Sequence, residues 1–472
     1  MKRPELLSPA GSLKSLRYAI AYGADAVYAG LPRYSLRVRN NEFRNTAALA
    51  EGIAAAHTAN KAFYLAVNVM PHHRKVETFL DDLTPVVALK PDALIMADPG
   101  LIMLVRERWP DMPVHLSVQA NTVNYASVRF WQRQGIARII LSRELSLDEI
   151  ADIRQQCPDI ELEVFVHGAL CIAYSGRCLL SGYFNHRDAN QGTCTNACRW
   201  RYRIIPGTET AEGTLLPTVP LENPLQEAAP SSPTQAEESW RGVGGEGERF
   251  SSRHTAADQT WLLEETGRRR DEWMEISEDE HGTYLMNSRD LRAIRHVRRL
   301  IDIGVNCLKI EGRTKSHYYA ARTAQIYKRA IDDAMAGREF NPDLLKQLDG
   351  LANRGYTEGF FDRHALNAAP DAAQNYIDGA SSNFTQQFVA EVIGHDPETG
   401  LSTLDVKNRF EVGDTLEIIT PESNHSLQLE ALWNLDGNAI TVAPGSGHVV
   451  KAKIGKAEKA FVLRNIIKTS PH

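Results

Sequence analysis

No run of 18 or more apolar residues occurs in this 472-residue chain, and its mean hydropathy is −0.33, so no stretch qualifies as a membrane-spanning helix. The opening MKRPELLSPAG has two basic residues with no apolar stretch behind them. That is not a secretory leader, and the expected location is cytoplasmic. Cysteine is scarce, at 6 residues, too few for a disulfide scaffold. There is no H-E-x-x-H, since His72-His73 is followed by RKVE, and no G-x-S-x-G. Their absence removes the metalloprotease helix and the serine-hydrolase elbow. A Gly-rich dinucleotide fingerprint is missing too, because SPAGS follows the first apolar run. Lysine is absent from 206–282, which holds 17 Asp/Glu and 6 Arg for a net of −11. The chain total is −6, so the remainder is +5, and the overall charge is no argument against a nucleic-acid partner.

The composition that is present, 43% apolar and 24% charged, is that of a globular protein long enough for two or three domains. Short apolar runs alternate with helical patterns: Glu5–Ser8, Ala26–Gly30, Phe63–Asn68, Ala93–Asp98, Val114–Gln119, Arg138–Arg143 and Leu162–Gly168. Ser12 is placed to cap the first helix and Gly23 to end it. An eighth run, Cys307–Gly312, precedes a helix over Tyr318–Ala336. Eight strand–helix units predict an α/β fold, a (β/α)8 TIM-barrel-like domain, with an open doubly wound sheet as the alternative. The predicted domains are a barrel over 1–205 plus 283–340, an acidic and partly disordered insertion over 206–282, a helical connector over 341–384, and a small all-β, barrel-like module over 385–472. Trp240, Trp261 and Trp273 are the residues of the insertion best able to dock locally.

Four cysteines fall within 28 residues: Cys171, Cys178, Cys194 and Cys198, spaced C-x6-C-x15-C-x3-C. Four converging thiolates suit an iron–sulfur cluster; structural zinc and unrelated buried thiols are the other readings, and the six-residue gap is unlike a zinc knuckle. Cys171 follows the seventh strand, at the end where barrels place their active sites. The C-terminal strand ends there offer Ser8, Gly30, Asn68, Asp98, Gln119, Arg143, His167 and Glu311, with Arg313 and Lys315 just beyond. His167, Asp98, Gln119 and Glu311 are the candidates for catalysis. Arg143, Arg313, Lys315 and Asn68 are the candidates for substrate binding. The plainer reading is a buried ion-pair network, such as Arg143 with Glu144 or Lys309 with Glu311. Arg37 and Arg39, with Arg33 and Arg44 beside Tyr34 and Phe43, form a loop suited to gripping phosphate and stacking a base. Arg289, Arg292, Arg295, His296 and Arg299 recur along one predicted helix, as a second candidate RNA contact or a solvated face.

The segment Glu163-x-Phe165-x-x-Gly168-Ala169-Leu170-Cys171-x4-Gly176-x-Cys178-x-Leu180-Ser181 resembles the signature of the U-32 collagenase-like peptidase family. The likeness continues through GADAVYAG, HLSVQAN, GTCTNACRWRY and KIEGRTKS into the C-terminal module. It is most similar to the branch of that family that makes 5-hydroxyuridine at the tRNA wobble position in a prephenate-dependent, oxygen-independent way. The resemblance implies a barrel and an iron–sulfur cluster, of the 4Fe–4S type, on Cys171, Cys178, Cys194 and Cys198. Cys307 competes for the fourth place. It also implies prephenate as a small carboxylate cosubstrate, the tRNA anticodon loop as substrate, an unidentified electron donor and no membrane. Arg143 and Arg313 are the residues suited to the two carboxylates of prephenate. The alternatives are a peptidase, with Cys171 and His167 as an ill-placed thiol–base pair, or hydroxylation of a ribosomal RNA cytidine or a ubiquinone precursor. A non-catalytic, zinc-bearing RNA-binding scaffold is the remaining class.

Overall fold

The computed structural model describes residues 2–35, 41–69, 71, 73–169, 202–209, 215–217, 260–265, 273–279, 282–285, 290–351, 353, 355–361 and 386–465. After β1 (Glu5–Pro9), the Ser12 hydroxyl accepts the Ser15 N–H at 3.0 Å and starts α1 (Leu13–Ala21). Gly23, at φ +107°, ends that turn before β2 (Ala26–Gly30), all of whose residues are buried. A strand covered on both faces reads as an unbroken apolar run. The pattern repeats through α2 (Thr46–Thr58), β3 (Ala62–Val67), α3 (His73–Glu77), α4 (Phe79–Val87), β4 (Ala93–Met96) and α5 (Pro99–Arg108). It continues with β5 (Val114–Leu116), α6 (Tyr125–Arg133), β6 (Arg138–Ile140), α7 (Leu147–Gln156) and β7 (Glu161–Ala169).

Five strands follow: β8 (Tyr202–Glu209), β9 (Leu215–Pro217), β10 (Thr260–Glu265), β11 (Trp273–Asp279) and β12 (Gly282–Leu285). They form an antiparallel sheet in the order β12-β11-β10-β8-β9, within a second compact unit. Parts of the acidic insertion predicted over 206–282 are therefore sheet: its low apolar content conceals segments that pair, Trp261 opposite the distant Pro206 and Glu264 opposite Trp273.

β13 (Asp290–Arg292) then runs antiparallel to the upper end of β7, followed by α8 (Val297–Ile303) and β14 (Cys307–Ile310). β14 pairs in parallel with both β1 (Glu5 beside Cys307) and β7 (Cys307 beside Glu163), closing eight parallel strands into a barrel. α9 (His317–Met335), capped by Ser316, packs on its outside. From the predicted connector, α10 (Asp343–Asp349) and β15 (Tyr356–Thr357), a partner of β13, are described, whereas 362–385 lie outside the described residues.

The C-terminal module comprises β16 (Gln386–Asp396), β17 (Leu401–Val406), β18 (Phe410–Glu411), β19 (Thr415–Ile419), β20 (Asn424–Gln428), β21 (Leu432–Trp433), β22 (Ala439–Ile440), β23 (Val442–Ala443), β24 (Val449–Ala452) and β25 (Phe461–Asn465). All its pairings are antiparallel, over a core including Val389, Leu404, Phe410, Ile418 and Val462. It docks on α1 and α9. The Tyr22 hydroxyl reaches the carbonyls of Ile419 (2.9 Å) and Lys459 (2.8 Å), and Glu391 accepts Lys14 (2.6 Å), Tyr18 (2.6 Å) and His317 (3.0 Å).

Candidate functional site

Strand register fixes which side chains fill the barrel. Glu5, Cys307 and Glu163 lie in register at the lower end, with Arg138 opposite Glu161, two residues below Glu163, and Lys309 two residues above Cys307. Lys309 Nζ lies 2.7 Å from Glu163 Oε1, and Arg138 reaches Glu5 (2.6 Å) and Glu163 (3.4 Å). Burial pushes the Glu163 carboxyl up, but Lys309 and Arg138 together hold it below the usual carboxylate range. Burial, with Arg138 nearby, lowers His115 to about 3, so it is neutral. This ionic floor closes the barrel. It joins Lys309 to Glu163 on the next strand, in place of the Lys309–Glu311 pair expected from the sequence. Cys307 belongs to the floor. Burial and then Glu163 and Glu5 push its thiol well up, so it stays protonated, and it sits about 20 Å below the end of β7. Cys307 is thus level with the end of β7 opposite to the one that Cys171 follows in the sequence.

Above the floor, Tyr28 and Phe165 form an aromatic layer; Lys309 Nζ is 4.5 Å and 5.3 Å from their ring centres. The Arg143 guanidinium carbon stands 3.9 Å from the centre of Phe165, and that of Arg313 5.7 Å from Tyr28. Arg313 is buried and donates to Ser35 Oγ at 2.6 Å. Gly30 makes the room: a Cβ there would lie 2.4 Å from Arg313 Nη1. Asn68 follows β3, and Gln119 lies in a 3-10 turn (Val118–Ala120) after β5, both strands standing between β2 and β6 in the sheet order. Asn68 Nδ2 donates to Ser117 Oγ at 3.4 Å, and the Gln119 N–H approaches the same oxygen at 3.5 Å. Asn68 Oδ1, Gln119 Oε1 and Thr122 Oγ1 are buried with no hydrogen-bond partner. Such groups normally meet water or a ligand. Lys315 is half-buried, 5.8 Å from the Tyr319 ring centre.

Three further predicted residues make local contacts of their own. Asp98 caps α5, accepting the Leu101 N–H at 2.9 Å. Glu311 engages through its backbone, donating to the His167 carbonyl (2.8 Å) and accepting from the Tyr319 hydroxyl (2.9 Å). Gly168 permits that approach, being at φ +104° where a Cβ would lie 2.4 Å from the Glu311 oxygen. Glu163 and Phe165 face the interior, but a register shift between Lys309 and Ile310 leaves Val166 unmatched. His167 therefore lies on the helix side, among the rings of Tyr319 (5.9 Å), Tyr327 (5.4 Å) and Tyr356 (5.5 Å). Burial, with Arg292 and Lys315 in support, lowers its pKa to about 3, so the ring is neutral.

The predicted RNA-gripping loop loses its aromatic half. Tyr34 and Phe43 are each 1% exposed, Tyr34 bonded to Asp82 at 2.5 Å and Phe43 edge-on to Phe63. Arg33 pairs with Asp82 at 2.8 Å and Arg44 is exposed, while Arg37 and Arg39 lie outside the described residues. The basic run 289–299 is not one helix: β13, a 3-10 turn at Ile294–His296 and α8 divide it. Arg292 pairs with Asp349, His296 with Glu358 (3.1 Å) and Arg299 with Asp148 (3.5 Å). A cavity of about 300 Å³ lined by Arg298, Arg338 and Phe340 lies among the outer helices, with Asp302 and Asp333 holding its arginines.

Among the described residues no group of three or more His, Cys, Asp or Glu is placed to hold a metal ion. Cys171, Cys178, Cys194 and Cys198 lie outside the described residues, beginning two positions after β7 ends. Sequence reasoning missed Ser35, Ser117, Thr122, Tyr28 and Phe165 at the mouth. Period-two alternation back from each strand end would have pointed to the last two.

Residues 11–369 match the model of Peptidase family U32, and residues 385–464 match that of the Peptidase family U32 C-terminal domain. The tRNA hydroxylation protein P of Escherichia coli is 56% identical over 450 residues, covering 95% of this chain and 93% of that one. The protein of the same name from Haemophilus influenzae is 53% identical over 478 residues, covering 100% and 98%. A Porphyromonas gingivalis protein named Collagenase is 24% identical over 439 residues, covering 90% and 88%. With its barrel and its C-terminal module both matched, the chain belongs to peptidase family U32.

Proposed function

We propose that this chain is a tRNA-modifying enzyme that hydroxylates C5 of the wobble uridine, yielding 5-hydroxyuridine in a prephenate-dependent, oxygen-independent reaction. The observation that carries the reading is its identity, above half and over nearly the full length, with two proteins named for tRNA hydroxylation. The barrel mouth supports it. Arg143 and Arg313, at the rings of Phe165 and Tyr28, would take the two carboxylates of prephenate, with Lys315 adding positive charge. Tyr28 and Phe165 would give that anion an apolar floor. Cys171, Cys178, Cys194 and Cys198 would hold an iron–sulfur cluster of the 4Fe–4S type, whose chemistry is electron transfer with a partner protein. An anticodon loop offers its base already unstacked, which chemistry on a base requires.

Proteolysis is the second reading, favoured by the distant likeness to a collagenase. Among the described residues neither free thiol is hydrogen-bonded to a histidine: Cys157 contacts the Tyr125 carbonyl and Cys307 lies among carboxylates. Mass spectrometry of nucleosides from a deletion strain tests the proposal. Hydroxylated uridine should vanish from tRNA and return when this chain is supplied. Unchanged tRNA, with a change in ribosomal RNA cytidine or in ubiquinone instead, would reassign the substrate.

A further inference from the structure

We propose that one outer sheet face of the C-terminal module binds RNA, with Lys451, Lys453 and Lys456 on its phosphates and Trp433 stacked on an unpaired base. The inference rests on the tRNA reading above and adds a contact outside the barrel. Strand register builds the face. Thr403 of β17 lies opposite Lys451 of β24, and Lys451 lies opposite Trp433 of β21. Their neighbours along these strands, Leu404, Val450, Ala452 and Leu432, are at most 2% exposed and belong to the module core. Alternation therefore turns Thr403, Lys451 and Trp433 outward. On the other side of Thr403, β16 shifts register between Val392 and Gly394, and Ile393, the extra residue, is 55% exposed. The row crosses four strands, about 14 Å. Lys453, two positions along from Lys451, extends it, and Lys456 is exposed in the loop that follows. Leu435, in the turn after β21, is 58% exposed.

Charge identifies the occupant. The module as a whole is acidic, with 7 Lys/Arg against 11 Asp/Glu over 386–465, yet four of its seven basic residues fall within 451–459. Lys407, Arg409 and Arg464 each pair with a carboxylate, whereas Lys451, Lys453 and Lys456 form no ion pair among the described residues. Asp396 feels the charge of Lys451, but its carboxylate accepts the Glu398 N–H (3.0 Å) and the Thr399 hydroxyl (2.7 Å) instead. Unneutralised positive charge gathered on one edge of an acidic module complements a polyanion. Cations beside an outward-facing aromatic ring suit single-stranded nucleic acid, the lysines taking phosphate and the ring a base. An acidic protein would also engage the lysines; only RNA makes the contribution of Trp433 depend on an unpaired nucleotide.

The test uses anaerobically purified full-length protein, an unmodified tRNA transcript and a fully paired RNA duplex, with binding read by fluorescence anisotropy at several salt concentrations. Changing Lys451, Lys453 and Lys456 together to Gln should weaken tRNA binding and lower the slope of log affinity against log salt by about two to three. Arg409→Gln, taken from an ion pair on the same module, should leave the slope nearly unchanged. Trp433→Ala should weaken tRNA binding about 5- to 100-fold with the slope kept, and Trp433→Phe should recover part of the loss. Neither Trp433 variant should alter duplex binding. Melting curves show that each variant is folded. An unchanged slope in the lysine variant, or equal loss of tRNA and duplex binding in Trp433→Ala, overturns the inference and leaves tRNA hydroxylation standing. Natural tRNA binding in all these variants also overturns it and gives the face to an acidic protein. Failure of the natural protein to bind tRNA overturns the tRNA reading and this inference together.

Discussion

Lys309 Nζ sits 2.7 Å from Glu163 Oε1 inside the barrel, with the two side chains only 4% and 0% exposed. Removing one partner strands a buried charge. Lys309→Met or Glu163→Gln should each cost about 3–5 kcal/mol in chemical denaturation, and the double variant less than the sum. Glu163 is more acidic folded than unfolded, so its contribution is present above the ordinary carboxylate range and fades as pH falls through the folded value. Additive single effects would mean the pair is not coupled.

Gly30→Ala drives a Cβ to within 2.4 Å of Arg313 Nη1. The expected result is displacement of Arg313 with the barrel intact, and a weakened response to prephenate like that of Arg313→Ala, about 10- to 150-fold. tRNA affinity and its salt slope should hold, whereas Arg37→Ala and Arg39→Ala should reduce the slope. Prephenate titration and tRNA binding at several salt concentrations decide. Loss of salt slope without loss of prephenate response would reverse the assignment.

Glu391 ties the C-terminal module to the barrel. Burial raises its carboxyl, but hydrogen bonds from His317, Lys14 and Tyr18 bring it down to about 2 from 4.5. The depressed value means stabilisation is full above pH 4.5 and lost as pH falls toward 2, worth at most about 3 kcal/mol at neutral pH. Glu391→Gln should therefore lower the melting temperature at pH 7 and match the natural protein near pH 2. A gap independent of pH would sink this account.

The barrel strands are legible in the sequence because strands covered on both faces are unbroken apolar runs; Ala26–Gly30 is read and found with the same ends. Ser12 and Gly23 bracket α1 for local reasons that need no tertiary context. The floor is not legible. Alternation along one strand suggests Lys309 with Glu311, and only the register between β14 and β7 brings Glu163 to Lys309. Nothing in LEVFVHG marks Val166 as the extra residue that turns His167 toward the tyrosines. Asp98 reads equally well as strand-end acid or helix cap, and the proline after it decides for the cap. TWLLEE at 260–265 is hidden by its acidic surroundings and by a partner strand far back at 202–209.

Cys307 lies on the barrel floor, so Cys307→Ser should keep its iron and acid-labile sulfide in anaerobically purified protein, apart from any loss of stability. Cys171→Ala, Cys178→Ala and Cys194→Ala should lose both. Iron lost from Cys307→Ser in a folded sample would return that thiol to the ligand set.

The most direct measurement is mass spectrometry of an unmodified anticodon stem–loop after anaerobic incubation with the purified chain, prephenate and a redox dye supplied oxidised or reduced, since the hydroxylation removes two electrons from the base, with gelatin as a parallel substrate. The expected result is the gain of one oxygen atom on the wobble uridine with gelatin left whole. RNA of unchanged mass beside cleaved gelatin would contradict the account.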